Sequence, residues 1–195
     1  MAQFLVGPVK PIAMKYTIFT LFGLLIFSNV TAQKYYSKTA HIRFFSHTSV
    51  EDIKADNYKS ELVIDKATGA VQASALIKMF EFDKALMQEH FNENYMESNQ
   101  YPKATFKGKG DFSKVNFGAD GSYSIPVSGA LTMHGVSKEI STKVNIKIAG
   151  GKISGDTKFV VNPKDHGIKI EAAYAGKISD KIEVTVKATL AVLNK

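Results

Sequence analysis

The residues with the widest chemical range in this chain are five histidines, His41, His47, His90, His134 and His166. Metal binding or acid–base work would need several of them, or one beside a carboxylate, one helical turn apart or on alternating strand positions. No HExxH, HxxEH or HxH cluster occurs. His41 and His47 share a strand parity but read as exposed residues on a polar face. Asp165 and His166 are sequence neighbours on a loop, where one cannot orient the other as a catalytic triad requires. GxSxG, glycine-rich phosphate loops and GxGxxG are all missing, so nucleophilic hydrolysis and nucleotide chemistry lack their geometry. The chain has no cysteine, which removes disulfides, thiolate metal sites and cysteine nucleophiles. Metal binding and these chemistries are therefore weakly supported by the residues, and no pattern calls for a cofactor.

Lysines are the remaining chemical resource. Lys103, Lys107 and Lys109 share one face of a strand opposite Phe106, with Lys114 following. Such a row could meet an anionic head group or phosphate, but it reads first as a charged outer face that blocks sheet aggregation. Nucleic acid is not expected, because the net charge is only +7 and no aromatic platform alternates with the lysines.

The elements that position these groups begin after a leader. Tyr16 to Phe27 is free of charge, follows Lys15, and leads to Val30 and Ala32 at the small positions a signal peptidase accepts. The run is shorter than the roughly 20 residues needed to span a bilayer. Residues 1–32 are expected to be a signal peptide cleaved near Ala32/Gln33, with Met1 or Met14 as the start. Residues 33–195 are expected to form one domain. Losing Lys10 and Lys15 lowers the charge from +7 to +5. The protein is expected in the periplasm or secreted.

Beyond residue 38 the dominant period is two, the spacing of strands with one dry face. In Lys181–Val192, Ile182, Val184, Val186, Ala188, Leu190 and Val192 oppose Lys181, Glu183, Thr185, Lys187 and Thr189. The same alternation appears over Thr39–His47, Glu61–Asp65, Ala70–Phe82, Lys103–Lys109, Tyr123–His134, Lys138–Ile148 and Asp156–Asn162. Glycines at 69, 135 and 150–151 sit between runs, as hairpins require. Asp111–Ser122 reads as a longer loop. One segment breaks the period: Asp83–Tyr95 places Met87, Phe91 and Tyr95 on a helical stripe, with Leu86 beside them and Asp83 as N-cap.

Eight one-sided antiparallel strands and one amphipathic helix favour a closed soluble barrel whose open end the helix plugs. An outer-membrane barrel would crowd Lys143, Lys147, Lys181, Glu183 and Lys187 into its lumen. Inward Ala73, Ala75, Ala104, Gly129, Thr142 and Ala188 are small; they either leave a ligand volume or pack tightly where strands coil.

Two stretches, HFNENYMESNQYPKATFKG (His90–Gly108) and LTMHGVSKEI (Leu131–Ile140), carry a likeness, joined by Asp165-His166-Gly167-Ile168. In order and spacing they resemble the YceI-like family of exported lipid- and polyisoprenoid-binding proteins, from about Met79 to the C-terminus. The chain departs from that pattern at Thr48–Asp52 and at His166, where an aromatic is usual. The resemblance implies an all-β, extended eight-stranded lipocalin-like barrel with one α-helix, holding a long isoprenoid or fatty-acyl chain without catalysis or metal.

The parity and the resemblance together make Phe44, Ile77, Met79, Phe82, Met87, Phe91, Phe106, Leu131, Met133, Val144, Phe159 and Val184 the expected ligand-binding lining. The expected partner is a long-chain isoprenoid or fatty-acid-like lipid, and the reading leaves room for transient membrane contact and a homodimer. Two rival functions remain: a small barrel enzyme acting on a lipid, which needs an inward polar cluster, and a structural or adhesive surface domain, which needs a filled lumen and an exposed apolar patch.

Overall fold

The computed structural model describes residues 33–193; the expected leader, its start and its cleavage bond fall at or before the edge of the described residues. Nine strands are formed: β1 (Lys34–His47), β2 (Asp52–Asp65), β3 (Ala70–Leu76), β4 (Glu81–Phe82), β5 (Lys103–Gly110), β6 (Gly121–Met133), β7 (Val136–Ala149), β8 (Lys152–Val161) and β9 (Ile182–Leu193). All pairings are antiparallel, in the order β1-β9-β8-β7-β6-β5-β3-β2, and β1 pairs with β2 to close an eight-stranded barrel. The two-residue β4 adds to β2 alone, through Ala55↔Phe82 and Asp56↔Glu81. Closure removes the unpaired edges that an open sheet would leave.

Each strand expected from alternation is present, and the differences have local causes. β1 starts five residues earlier than its pattern suggested, because its register shifts between Ser37 and Ile42. Tyr35 and Ser37 are buried on one parity, Ala40, Phe44 and Ser46 turn inward on the other, and the bulge hides the continuity. The first half of β2 is likewise masked by polar residues that face inward: Asn57 and Ser60 are fully buried. Asn57 donates to the Leu76 carbonyl at 3.0 Å, bridging the gap where β3 has ended and β4 has not begun.

The two ends of the barrel are built differently. Around Tyr35, Ile64, Val71, Ile125, Val127, Ile146, Ile148, Ile153 and Leu190 the interior is solid. The connection between β5 and β6, expected as a plain loop, inserts Phe112, Val115 and Phe117 into this end, and Tyr35 stacks on Phe117 at 3.9 Å between ring centres. The helix does not plug this end. It lies at the opposite one, where α1 (Ala85–His90) runs into a π-helical turn (Phe91–Tyr95). Its N-cap is Lys84, not Asp83, which pairs instead with Lys54 at 3.3 Å. Among the described residues no helix is long and apolar enough to cross a membrane.

Gly108 of β5 faces Gly129 of β6, and a Cβ on Gly129 would stand 2.3 Å from the Gly108 Cα. Gly129 therefore serves close strand approach rather than free volume. Ala188 likewise packs against the solid end.

Candidate lipid cavity

The other half of the barrel is hollow. The walls surround a cavity of about 500 Å³ with overwhelmingly apolar surfaces, within the range of small-ligand pockets. Phe44 comes from β1, Phe106 from β5, Leu131 and Met133 from β6, Val144 from β7, Phe159 from β8 and Val184 from β9, all with inward parity. Ile77, Phe82, Met87 and Phe91 complete the list of expected lining residues that reach it. Met79 does not: the chain turns through a 3-10 helix at Ile77–Met79, which breaks the strand parity and leaves Met79 36% exposed. Ala73, Ala75, Ala104 and Thr142 also line the cavity, so these small residues do leave volume.

Four phenylalanines from three separate segments form one wall. Phe44 lies 5.6 Å from Phe80, 5.6 Å from Phe82 and 5.4 Å from Phe91, and Phe82 lies 5.0 Å from Phe91, between ring centres. Such aromatic pairs add roughly 0.5–1.5 kcal/mol each beyond area burial, enough to hold a helix with no side-chain cap against the barrel. The floor is made of Leu62, Val71, Phe106, Val127 and Val144, which touch the cavity on one side and the solid core on the other.

Several lining residues lay beyond sequence reasoning. Phe80, Met96, Ile168, Ile170, Tyr174 and Ile178 come from irregular segments without a period to expose them. Ile168 had a usable signal, since it closes the Asp165–Ile168 stretch already singled out. Ile53 belongs to the half of β2 hidden by inward polar residues, whereas Leu62 lies in the half that alternation found but was not among the expected lining.

Polar groups gather at the mouth. Lys84 pairs with Glu51 at 3.2 Å, tying α1 to the β1–β2 turn. Ser46 accepts a hydrogen bond from the Ser179 amide at 2.9 Å, which anchors the long segment before β9. His90 meets Tyr174 edge-on at 6.2 Å, and Lys177 lines the same opening. Burial, with Glu171 and Tyr174 nearby, pushes the Tyr95 phenol above its ordinary pKa, so it remains a neutral hydroxyl. On the walls, the Thr142 and Thr157 hydroxyls pair at 2.8 Å; one donates to the other, whose own proton goes to a backbone carbonyl, that of Lys158 for Thr142 or of Lys143 for Thr157.

A second cluster braces the cavity from behind. His134 and Glu97 are the only non-glycine residues with positive φ among those described, at 50° and 43°. His134 opens the two-residue turn completed by Gly135, a geometry that demands positive φ at both positions. Its Nε2 lies 2.6 Å from a Glu97 carboxylate oxygen and its Nδ1 3.2 Å from the His166 carbonyl. Tyr101 packs edge-on against the ring at 4.6 Å. Met96, Met133 and Ile168, neighbours of Glu97, His134 and Gly167, form the cavity wall, so this polar knot fixes three lining residues.

His166 is buried in the same knot, its Nδ1 3.0 Å from the Val136 carbonyl, whereas His41 and His47 stand apart. His41 stacks on Tyr58 and bonds Asp56 on the outer face, and His47 bonds Asp52. Among the described residues no three His, Asp or Glu side chains converge as metal ligands would. The arrangement offers hydrophobic transfer into an apolar pocket, with its charged groups at the entrance and only hydroxyls on its walls.

A family model described as YceI-like domain matches residues 33–190. Among solved structures, the fold is similar to a polyisoprenoid-binding domain from Saccharophagus degradans implicated in plant cell wall breakdown, with 17% identity, a TM-score of 0.72, and coverage of 83% of this chain and 99% of that one. It is also similar to BcnA of Burkholderia cenocepacia (16% identity, TM-score 0.60, 80% and 96% covered). The YCEI protein of Campylobacter jejuni follows the same fold (19% identity, TM-score 0.59, 76% and 90% covered). No curated protein matches the sequence.

Proposed function

The chain belongs to the YceI-like family, and from that premise we propose that it is an exported, non-catalytic carrier that holds one long-chain amphipathic lipid in its barrel. The observation that carries this reading is the one-ended apolar cavity of about 500 Å³. Each methylene moved from water into such a site contributes about 0.8 kcal/mol, so a long chain binds tightly with little polar recognition. The polyisoprenoid-binding relative from Saccharophagus degradans supports a lipid as the occupant. Export is supported by the uncharged run Tyr16–Phe27 and the small residues Val30 and Ala32.

Native mass spectrometry of the chain purified without detergent tests the function. The expected result is a mass increment of one lipid, lost on denaturation. A chain that is ligand-free, and stays so when offered fatty acids and isoprenoid alcohols, would overturn the reading. Intact mass of the exported protein tests the leader: an N-terminus at Gln33 is expected, and one that retains Tyr16–Phe27 would contradict it.

A further inference from the structure

The barrel closes, but its wall is not bonded evenly all the way round. β7 and β8 share backbone pairs only from Asn145↔Asp156 to Ala149↔Lys152, beside the solid end. Nearer the mouth, residues 136–144 of β7 pair with β6 alone and residues 157–161 of β8 with β9 alone. Among the described residues no backbone hydrogen bond crosses this gap. Side chains close it instead. At its inner end the Thr142 and Thr157 hydroxyls pair at 2.8 Å, and one of them also bonds a carbonyl on the opposite strand. At the rim the His166 ring, in the turn that follows β8, donates to the Val136 carbonyl at 3.0 Å.

The two lips are apolar where they face the lumen. Ile140 of β7 and Phe159 and Val161 of β8 line the cavity along the gap and belong to none of the packed clusters. Val160 stands 57% exposed on the outer side of the same lip. The mouth is fastened more firmly. There the phenylalanine wall, the Lys54–Asp83 and Lys84–Glu51 pairs and the Ser46–Ser179 bond hold α1 and the segment before β9. Lifting α1 brings the phenylalanines into water and breaks their ring contacts. Parting the lips cuts no ladder bond, and the hydroxyls and ring that separate recover partners in water, so little net stabilisation is lost.

We propose that the gap between β7 and β8 is a lateral portal through which the lipid enters and leaves the cavity, with the Thr142–Thr157 pair as its latch. This rests on the lipid-carrier reading and adds the route to it. The lipid slides sideways between Ile140 and Phe159 while α1 stays in place.

The test bridges each route in turn. The chain has no cysteine, so Ser141→Cys with Lys158→Cys places one exposed thiol on each lip, and Lys54→Cys with Asp83→Cys places a pair between β2 and the start of α1. Each pair is joined by a short bis-methanethiosulfonate, which a reductant removes. Stopped-flow fluorescence then follows uptake and release of parinaric acid and of a dansyl-labelled isoprenoid alcohol. A route sets the barrier and not the end states, so bridging the lips is expected to slow uptake and release together, by about tenfold or more, with reductant restoring the unbridged rates. Bridging α1 to β2 is expected to change either rate by no more than about twofold. Unaltered rates in the lip-bridged protein, or a slowing at α1 that equals or exceeds the slowing at the lips, would overturn the inference and leave the carrier function standing. Failure of the unbridged proteins to take up either probe would overturn the carrier function itself.

Discussion

One barrel wall encloses two interiors. Towards the β5–β6 connection, Phe112, Val115 and Phe117 fill the lumen against Tyr35, Ile146 and Ile148. Towards α1, the same strands β6, β7 and β9 supply Leu131, Val144 and Val184 to empty space. The strand pattern is apolar in both halves, so alternation alone cannot separate core from cavity. What separates them is the connection that returns to the barrel: a loop that inserts its side chains makes a core, and a helix that lies over the opening makes a mouth. Stability is concentrated in the first half and binding in the second.

Substitutions at the two ends should therefore fail in different ways. Phe112 is 1% exposed at the centre of the plug, so Phe112→Ala is expected to cost about 3–5 kcal/mol in urea unfolding. Gly129→Ala, at the close approach to Gly108, is expected to cost about 1–3 kcal/mol through overpacking, read from the same transition. Phe91→Asp strikes the phenylalanine wall at the mouth, where the ring is half-buried. It is expected to lower stability by about 1–2 kcal/mol, keep the β-sheet circular dichroism, and abolish lipid uptake. Unchanged uptake would show that the helix takes no part in the site.

The smallest effect belongs to the outer face, which serves neither interior. Burial raises the Asp56 pKa, but hydrogen bonds from Arg43 and His41 outweigh it, leaving the carboxyl below its ordinary value. The unfolded chain then takes up the proton more readily, so this contribution is present at neutral pH and is lost as pH falls through the folded-state pKa. Asp56→Asn is expected to cost no more than about 1 kcal/mol at pH 7, because Arg43 is largely solvated. The difference from the parent should vanish in acid, as thermal melts from pH 7 to pH 3 would record.

The barrel was largely legible in the sequence, whereas the contrast between its two interiors was not. Period-two alternation located the eight long strands, and most of the expected lining residues reach the cavity because inward parity is a local property of a strand. Met79 failed where a 3-10 turn interrupts that parity, and the first half of β2 was invisible because Asn57 and Ser60 face inward as polar residues. The plug was hidden for a different reason. Phe112, Val115 and Phe117 sit among Asp111, Ser113, Lys114 and Asn116, and no strand or helix period links them. Their insertion depends on the barrel being present to receive them. The Glu97–His134 contact is likewise a tertiary event between residues 37 apart, although the His-Gly turn that creates it was visible.

Methyl-resolved nuclear magnetic resonance during titration with a long-chain fatty acid tests the division most directly. The account predicts large shifts at Leu131, Met133, Val144 and Ile168, with Ile125, Ile146, Ile148 and Leu190 nearly unmoved. Shifts spread evenly through both groups, or confined to residues on the outer face, would contradict it.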